Sequence, residues 1–158
     1  MTVSLRLATE QDLELMMAWR SSPFVYEGFY TQKAPLTWEE HWKWFHNRGN
    51  WWKIFIIQYD DKVTRVRDVG VVTVGQLEHW SPEPGYYLGE VSLWGKGIGR
   101  EAVLLALQYI KNYGREYART TILDTNSRSI KLAKSLGFKY SGVARVGESW
   151  YQVDLSGY

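Results

Sequence analysis

Trp94-Gly95-Lys96-Gly97-Ile98-Gly99-Arg100-Glu101-Ala102 sets three glycines and two cations directly ahead of an apolar, helix-periodic run. A β-prone segment, Gly85 to Leu88, precedes it. That order places unpaired backbone N–H groups at a helix N-terminus, where the helix dipole favours a phosphate or diphosphate. Gly95, Gly97 and Gly99 let the backbone turn through positive φ and come close to such a ligand, while Lys96 and Arg100 add charge. No Ser or Thr follows Lys96 as a P-loop requires, and no acidic residue closes a βαβ dinucleotide fingerprint. The loop points to a nucleotide-containing ligand of another kind; preference for ATP or NAD would mark a plain nucleotide binder.

The bulk numbers narrow the choice. A chain of 158 residues is the size of one domain, taken as residues 1–158, and is long enough for a real core. With 45% hydrophobic and 23% charged residues, the composition is that of a soluble globular protein, and a cytoplasmic location is expected. No apolar run reaches membrane-spanning length and the N-terminus lacks a signal-peptide layout. The absence of cysteine removes disulfides, thiolate nucleophiles and Cys-based zinc sites. The three histidines, His41, His46 and His79, are scattered without metal-ligand spacing, so no metal is expected. A net charge of +2 from 19 basic and 17 acidic residues argues against nucleic acid as partner. Nine Trp and eleven Tyr are unusual, and suit either core packing or an aromatic-lined groove for an acceptor.

Outward from the glycine stretch, Ile98 to Tyr113 predicts a helix with a wide apolar stripe, with Gly114 as its cap. Upstream, Ser4 to Ala8 reads as a strand, Thr9 with Asp12 as a capping box, and Leu13, Met16, Met17 and Trp19 as a helix face ended at Ser21-Ser22-Pro23. Phe24 to Pro35 is an expected loop. Thr37 opens a second helix, with Trp38, His41, Trp42 and Phe45 on its expected buried face. Trp52 to Tyr59 and Val69 to Val74 pair across Asp60-Asp61-Lys62. Downstream come a strand from Thr120 to Asp124, a helix from Ser127 to Ser135 stopped at Gly137, and a closing pair, Phe138 to Val146 and Ser149 to Leu155. The expectation is a mixed α/β fold: a central, mostly antiparallel twisted sheet flanked by helices.

Two motifs now stand in order. Gly97-Ile98-Gly99 opens the long helix, and Asn126-Ser127-Arg128-Ser129 opens a short one that ends in Gly137-Phe138. Together they resemble the GNAT superfamily of acetyl-CoA-dependent N-acetyltransferases across nearly the whole chain. The Trp-Gly-Lys-Gly loop and Ser129 are most similar to the branch containing ribosomal-protein N-terminal alanine acetyltransferases. The resemblance implies an acyltransferase moving acetyl from acetyl-CoA to a primary amine by direct attack. Leu88, Val91, Gly95, Lys96, Gly97, Ile98, Gly99, Arg100 and Asn126 would hold the coenzyme. Ser129 would face its sulfur and Glu148 would serve as base; Glu90, which follows the coenzyme-facing strand, is a second candidate base. Tyr26, Phe29 and Tyr30 would meet the acceptor. Asn126 has a structural alternative, capping the following helix. Two positions depart from the family pattern. Trp94 stands where Gln or Arg is usual, and Ala133 where many members carry the Tyr that protonates the thiolate.

The acceptor stays open. An α-amine with a pKa of about 8 needs roughly 1.4 kcal/mol to be neutral at pH 7, against roughly 4.6 kcal/mol for a lysine side chain. A peptide N-terminus or a small-molecule amine is therefore expected, with no membrane partner. Trp19-Arg20-Ser21-Ser22-Pro23 and Glu40 to Phe45 resemble segments around the acceptor in acetyltransferases of nucleotide-linked amino sugars. A non-catalytic acyl-CoA sensor is a further alternative. The superfamily also implies a homodimer.

Overall fold

The computed structural model describes residues 2–158; Met1, the first residue of the expected domain, lies outside them. The chain enters through strand β1 (Thr2–Leu7) and turns at a capping box in which Thr9 N–H donates to Asp12 at 2.8 Å. Helix α1 (Leu13–Arg20) follows, and buries Leu13, Met16 and Trp19. Pro23, expected only to end the preceding helix, starts the one-turn helix α2 (Pro23–Tyr26), which runs into the stretch expected to be loop. Proline at a first helical position sacrifices no hydrogen bond, so a short helix forms where composition suggests a turn. Helix α3 (Trp38–His46) is capped by Thr37, whose hydroxyl oxygen accepts Glu40 N–H at 3.2 Å.

Strands β2 (Lys53–Asp60), β3 (Val66–Gly75) and β4 (Glu83–Leu88) complete an antiparallel sheet in the order β1-β2-β3-β4. Alternation on β2 and β3 splits their apolar residues between two layers. Phe55, Ile57, Val72 and Val74 face α4 (Ile98–Asn112), which buries Ile98, Ala102, Ala106, Leu107 and Ile110. Ile54, Ile56 and Val71 face the opposite way, onto Leu13, Met16 and Trp19 of α1 and onto Trp44 and Phe45 of α3.

This second layer corrects the expected face of α3. Trp38 and Trp42 are about half exposed, whereas His41, Trp44 and Phe45 turn inward. His41 and Phe45 keep their expected place, while Trp44 replaces Trp38 and Trp42 on the inner face; in this rotation His41 donates from Nε2 to the Leu13 carbonyl at 2.9 Å. His41 is a packing residue whose burial lowers its basicity.

After α4 the chain forms β5 (Tyr117–Leu123), α5 (Ser127–Ser135), β6 (Lys139–Arg145) and β7 (Glu148–Asp154). These strands make a separate antiparallel sheet, β5-β7-β6, and β5 begins three residues before the expected Thr120. One of the extra residues, Arg119, ties β5 to the first sheet. Arg119 N–H donates to the Pro82 carbonyl at 2.9 Å, so β4 and β5 start side by side. Beyond that bond the two sheets part. The wedge between them is a cleft of about 960 Å³.

Candidate active site

One end of the cleft is built by the glycine loop. Gly95 and Gly97 have φ of +79° and +83°, and Gly97 is the N-cap of α4. Open space lies above both, since a Cβ at either position would meet nothing within 4 Å. Glu101 N–H is the first in α4 to close on Gly97, at 3.1 Å, so the N–H groups of Ile98, Gly99 and Arg100 have no acceptor within the helix. Gly99 serves packing instead, because a Cβ there would sit 2.8 Å from the Tyr86 ring. It lets the first turn of α4 pack directly on β4. Positive φ, open space and unpaired donors fit the diphosphate of an acyl carrier.

Trp94, at the family's Gln or Arg position, ties this end together. Its indole N–H donates to the Leu88 carbonyl at 3.0 Å, and the Arg128 guanidinium lies 4.2 Å from its ring centroid. The end of β4, the glycine loop and the start of α5 are thereby linked through one side chain. Asn126 Oδ1 accepts Ser129 N–H at 3.2 Å, which is the capping alternative, and the residue also lines the cleft. Arg100 donates to the Ser135 hydroxyl and carbonyl at 3.1 and 3.3 Å, holding its chain along the rim.

The other end is lined by titratable and aromatic groups. Glu148 is buried and accepts from Arg145 Nε at 3.0 Å; the Arg145 guanidinium covers the Tyr30 ring at 3.8 Å. Glu83 stands near the point where the sheets part. Burial lifts its carboxyl above the ordinary range, opposed by Arg119 at 3.6 Å. Ser129, at the first turn of α5, stands beside the Tyr86 phenol, which burial also pushes up. Phe29 and Trp52 complete the wall.

The family model for the acetyltransferase (GNAT) domain matches residues 2–139. The chain belongs to the GNAT family. It is 46% identical over 153 residues to an uncharacterized protein of Methanocaldococcus jannaschii, covering 97% of this chain but 31% of that protein. The chain thus spans about a third of the length of that relative. A crystal structure of a domain from the same organism superposes with a TM-score of 0.92 at 47% identity, covering 97% of this chain and 98% of that one. An aminoglycoside acetyltransferase solved with ribostamycin and coenzyme A shares the GNAT fold, with a TM-score of 0.83, 18% identity, and 98% and 94% of the two chains covered.

Against this GNAT frame, the cleft gathers most of the residues singled out from sequence. Leu88, Gly95, Gly97, Ile98, Gly99, Arg100, Asn126, Ser129, Glu148, Phe29 and Tyr30 all line it. Glu90, Val91, Lys96 and Tyr26 do not. The first two leave for a backbone reason: the N–H groups of Gly89 and Glu90 both donate to the Val69 carbonyl, at 2.9 and 3.3 Å, which turns the chain away into a 3-10 turn over Val91–Leu93. Lys96 is exposed, and Tyr26 belongs to α2. Tyr86, Glu83, Arg145 and Trp52 were not anticipated. The alternation of β4 carries a signal for Tyr86, since it shares a strand face with Leu88. Among the described residues there is no cluster of His, Asp or Glu able to hold a metal, and no helix is long and apolar enough to cross a membrane.

Proposed function

We propose that residues 1–158 work as one N-acetyltransferase domain that moves the acetyl group of acetyl-CoA to a primary amine, either a small molecule or a protein N-terminus. The observation that carries this reading is the sharing of one cleft by two ends of complementary chemistry. The open, positive-φ cradle of Gly95 and Gly97 faces it at one end, and the buried carboxylate of Glu148, paired with the more exposed Arg145, at the other. The diphosphate of the coenzyme is bound by the free N–H groups of Ile98, Gly99 and Arg100. Its pantetheine arm runs past Asn126 towards Ser129.

The acceptor amine loses a proton to Glu148, directly or through a water, and attacks the thioester carbonyl. The tetrahedral oxyanion collapses, the C–S bond breaks, and the extra proton on the newly bonded nitrogen passes to the departing thiolate, which leaves as the coenzyme A thiol towards the Ser129 hydroxyl with the Tyr86 phenol beside it. A hydrogen bond from Ser129 stabilises the departing sulfur. Ala133 leaves the family's usual tyrosine without a counterpart. Arg145 holds the Glu148 side chain in place in the resting site, and the carboxylate both attracts a protonated amine and accepts its proton.

The loop sequence and Ser129 favour the branch that acetylates ribosomal-protein alanine. A second reading, an amino sugar linked to a nucleotide, has its own support: the segments holding Trp19 and Trp44 meet in one layer beside Tyr87 on the cleft wall. Release of free coenzyme A thiol, screened against short peptides, polyamines, aminoglycosides and amino-sugar nucleotides, tests the proposal. Acceptor-dependent release supports the enzyme. Binding of acetyl-CoA with only slow, acceptor-independent hydrolysis would identify a sensor, and no heat on titrating acetyl-CoA would overturn the reading.

A further inference from the structure

The cleft has a neighbour that the chemistry above does not use. A smaller groove of about 340 Å³ is bordered by Glu40, Lys43, Trp44, Asn47, Arg48 and Trp52, and Trp52 borders the main cleft as well. The Trp52 ring is fixed in place because it lies against Gly75, where a Cβ would come within 2.4 Å of it. The Arg48 guanidinium sits 4.6 Å from the Trp52 centroid and 5.2 Å from that of Trp44. One ring therefore separates the two spaces, with a stacked cation beside it.

Among the described residues, no carboxylate is paired with the arginine at this wall. Arg48 donates from Nε to the Trp44 carbonyl at 3.2 Å. Burial lowers its basicity, and Arg20 is close enough to lower it further. Arg20 is itself bonded only to the neutral amide of Gln32, at 3.0 and 2.7 Å. Its guanidinium lies 4.3 Å from the centroid of Phe29, a residue of the main cleft. Tyr87, also on that wall, has its phenol oxygen buried without a hydrogen-bond partner among the described residues. Of the acids nearby, Glu39 pairs with Lys43 at 2.8 Å, and Glu40, on the rim of the same groove, accepts from the Thr37 hydroxyl at 3.0 Å and forms no ion pair with Arg48. Two half-buried arginines with no acid paired to them suit a phosphate, and the aromatic rings beside them suit a flat ring elsewhere in the same molecule.

We propose that Arg48 and Trp52, backed by Arg20, form a second acceptor subsite that binds a phosphate or diphosphate group carried by the same molecule that presents the amine. The acceptor is then an amine of mixed charge: its ammonium faces Glu148 while its phosphate faces Arg48. This rests on the acetyltransferase reading for the amine end only. A phosphorylated sugar and a nucleoside diphosphate sugar share the phosphate; the nucleoside adds a base able to stack on Trp52 or Trp44.

The test is calorimetric titration of uridine, cytidine and guanosine diphosphates, and of inorganic pyrophosphate, into protein saturated with coenzyme A so that the glycine cradle is filled. Binding that weakens roughly 10- to 100-fold in Arg48→Gln, the loss expected for a charge-assisted bond, with partial recovery in Arg48→Lys, supports the subsite. Equal affinity for pyrophosphate and the nucleotides assigns recognition to phosphate alone, and stronger nucleotide binding adds base stacking. No binding by any probe, or equal binding to wild type and Arg48→Gln, overturns it. If coenzyme A itself fails to bind, the acetyl-transfer reading falls, while the comparison with Arg48→Gln still decides this subsite.

Discussion

Replacing Gly97 by Ala isolates the backbone conformation on which the coenzyme cradle depends. The position has φ of +83° and caps α4, and a Cβ there would meet no atom within 4 Å. No clash contributes, so the cost is that of holding an L-residue in the left-handed region, about 1–2 kcal/mol. For a domain of this length that corresponds to a fall of roughly 2–8 °C in melting temperature. If the loop escapes the strain by leaving the left-handed region, stability recovers, but the N–H groups of the first turn no longer face the cleft and coenzyme affinity falls instead. Asparagine tolerates this region better than alanine, so Gly97→Asn must lose less than Gly97→Ala in whichever quantity moves. Thermal unfolding followed by circular dichroism reads the first cost, and calorimetric titration of coenzyme A reads the second. An alanine variant with both wild-type melting temperature and wild-type affinity refutes the reasoning, because strain must appear in one of them.

Glu148→Gln should lower kcat for acceptor-dependent thiol release by roughly 100-fold while leaving coenzyme binding intact, as removal of a general base does; unchanged kcat removes Glu148 from the mechanism. Ser129→Ala should lower kcat by about tenfold, a loss of one hydrogen bond worth about 1.4 kcal/mol, and again leave coenzyme affinity in place by calorimetry. Trp94→Phe deprives the Leu88 carbonyl of its indole donor, and chemical denaturation should find about 1–3 kcal/mol less stability. Arg6 donates to both oxygens of Asp12, at 2.9 and 2.8 Å, and holds that carboxyl below its usual value. Its stabilisation is complete above the unfolded pKa of about 3.9 and disappears as pH falls through the lower folded value. Asp12→Asn should therefore melt lower than wild type at neutral pH, and the gap should close on acidification.

The fold was legible wherever one local device decided an element. Thr9 with Asp12, Thr37 with Glu40, and Asn126 before α5 all mark helix starts that the structure keeps. The aromatic helix α3 was legible as a helix but not in its orientation, because Trp38 and Trp42 are as aromatic as Trp44. The choice was made by His41 reaching the Leu13 carbonyl, a contact between residues 28 positions apart. The parting of the sheet was hidden for the same reason. β5 looks like any strand in sequence, and only the Arg119–Pro82 bond at its start, with nothing equivalent further along, opens the wedge that becomes the site.

The site divides along the same line. The coenzyme end was readable because its parts are consecutive: positive φ, unpaired N–H groups and open space all come from the residues that start one helix. The acceptor end was not, because its parts belong to distant segments joined only by packing. Glu148 gains Arg145 across the β6–β7 turn, and Arg145 gains Tyr30 from the loop after α2. Trp52 becomes a wall only because Gly75, on the neighbouring strand, offers no side chain to displace it. A glycine on a strand pattern therefore says as much about the acceptor as the glycines of the loop say about the coenzyme. At position 75, even alanine would drive Trp52 off the sheet and merge the two spaces it separates.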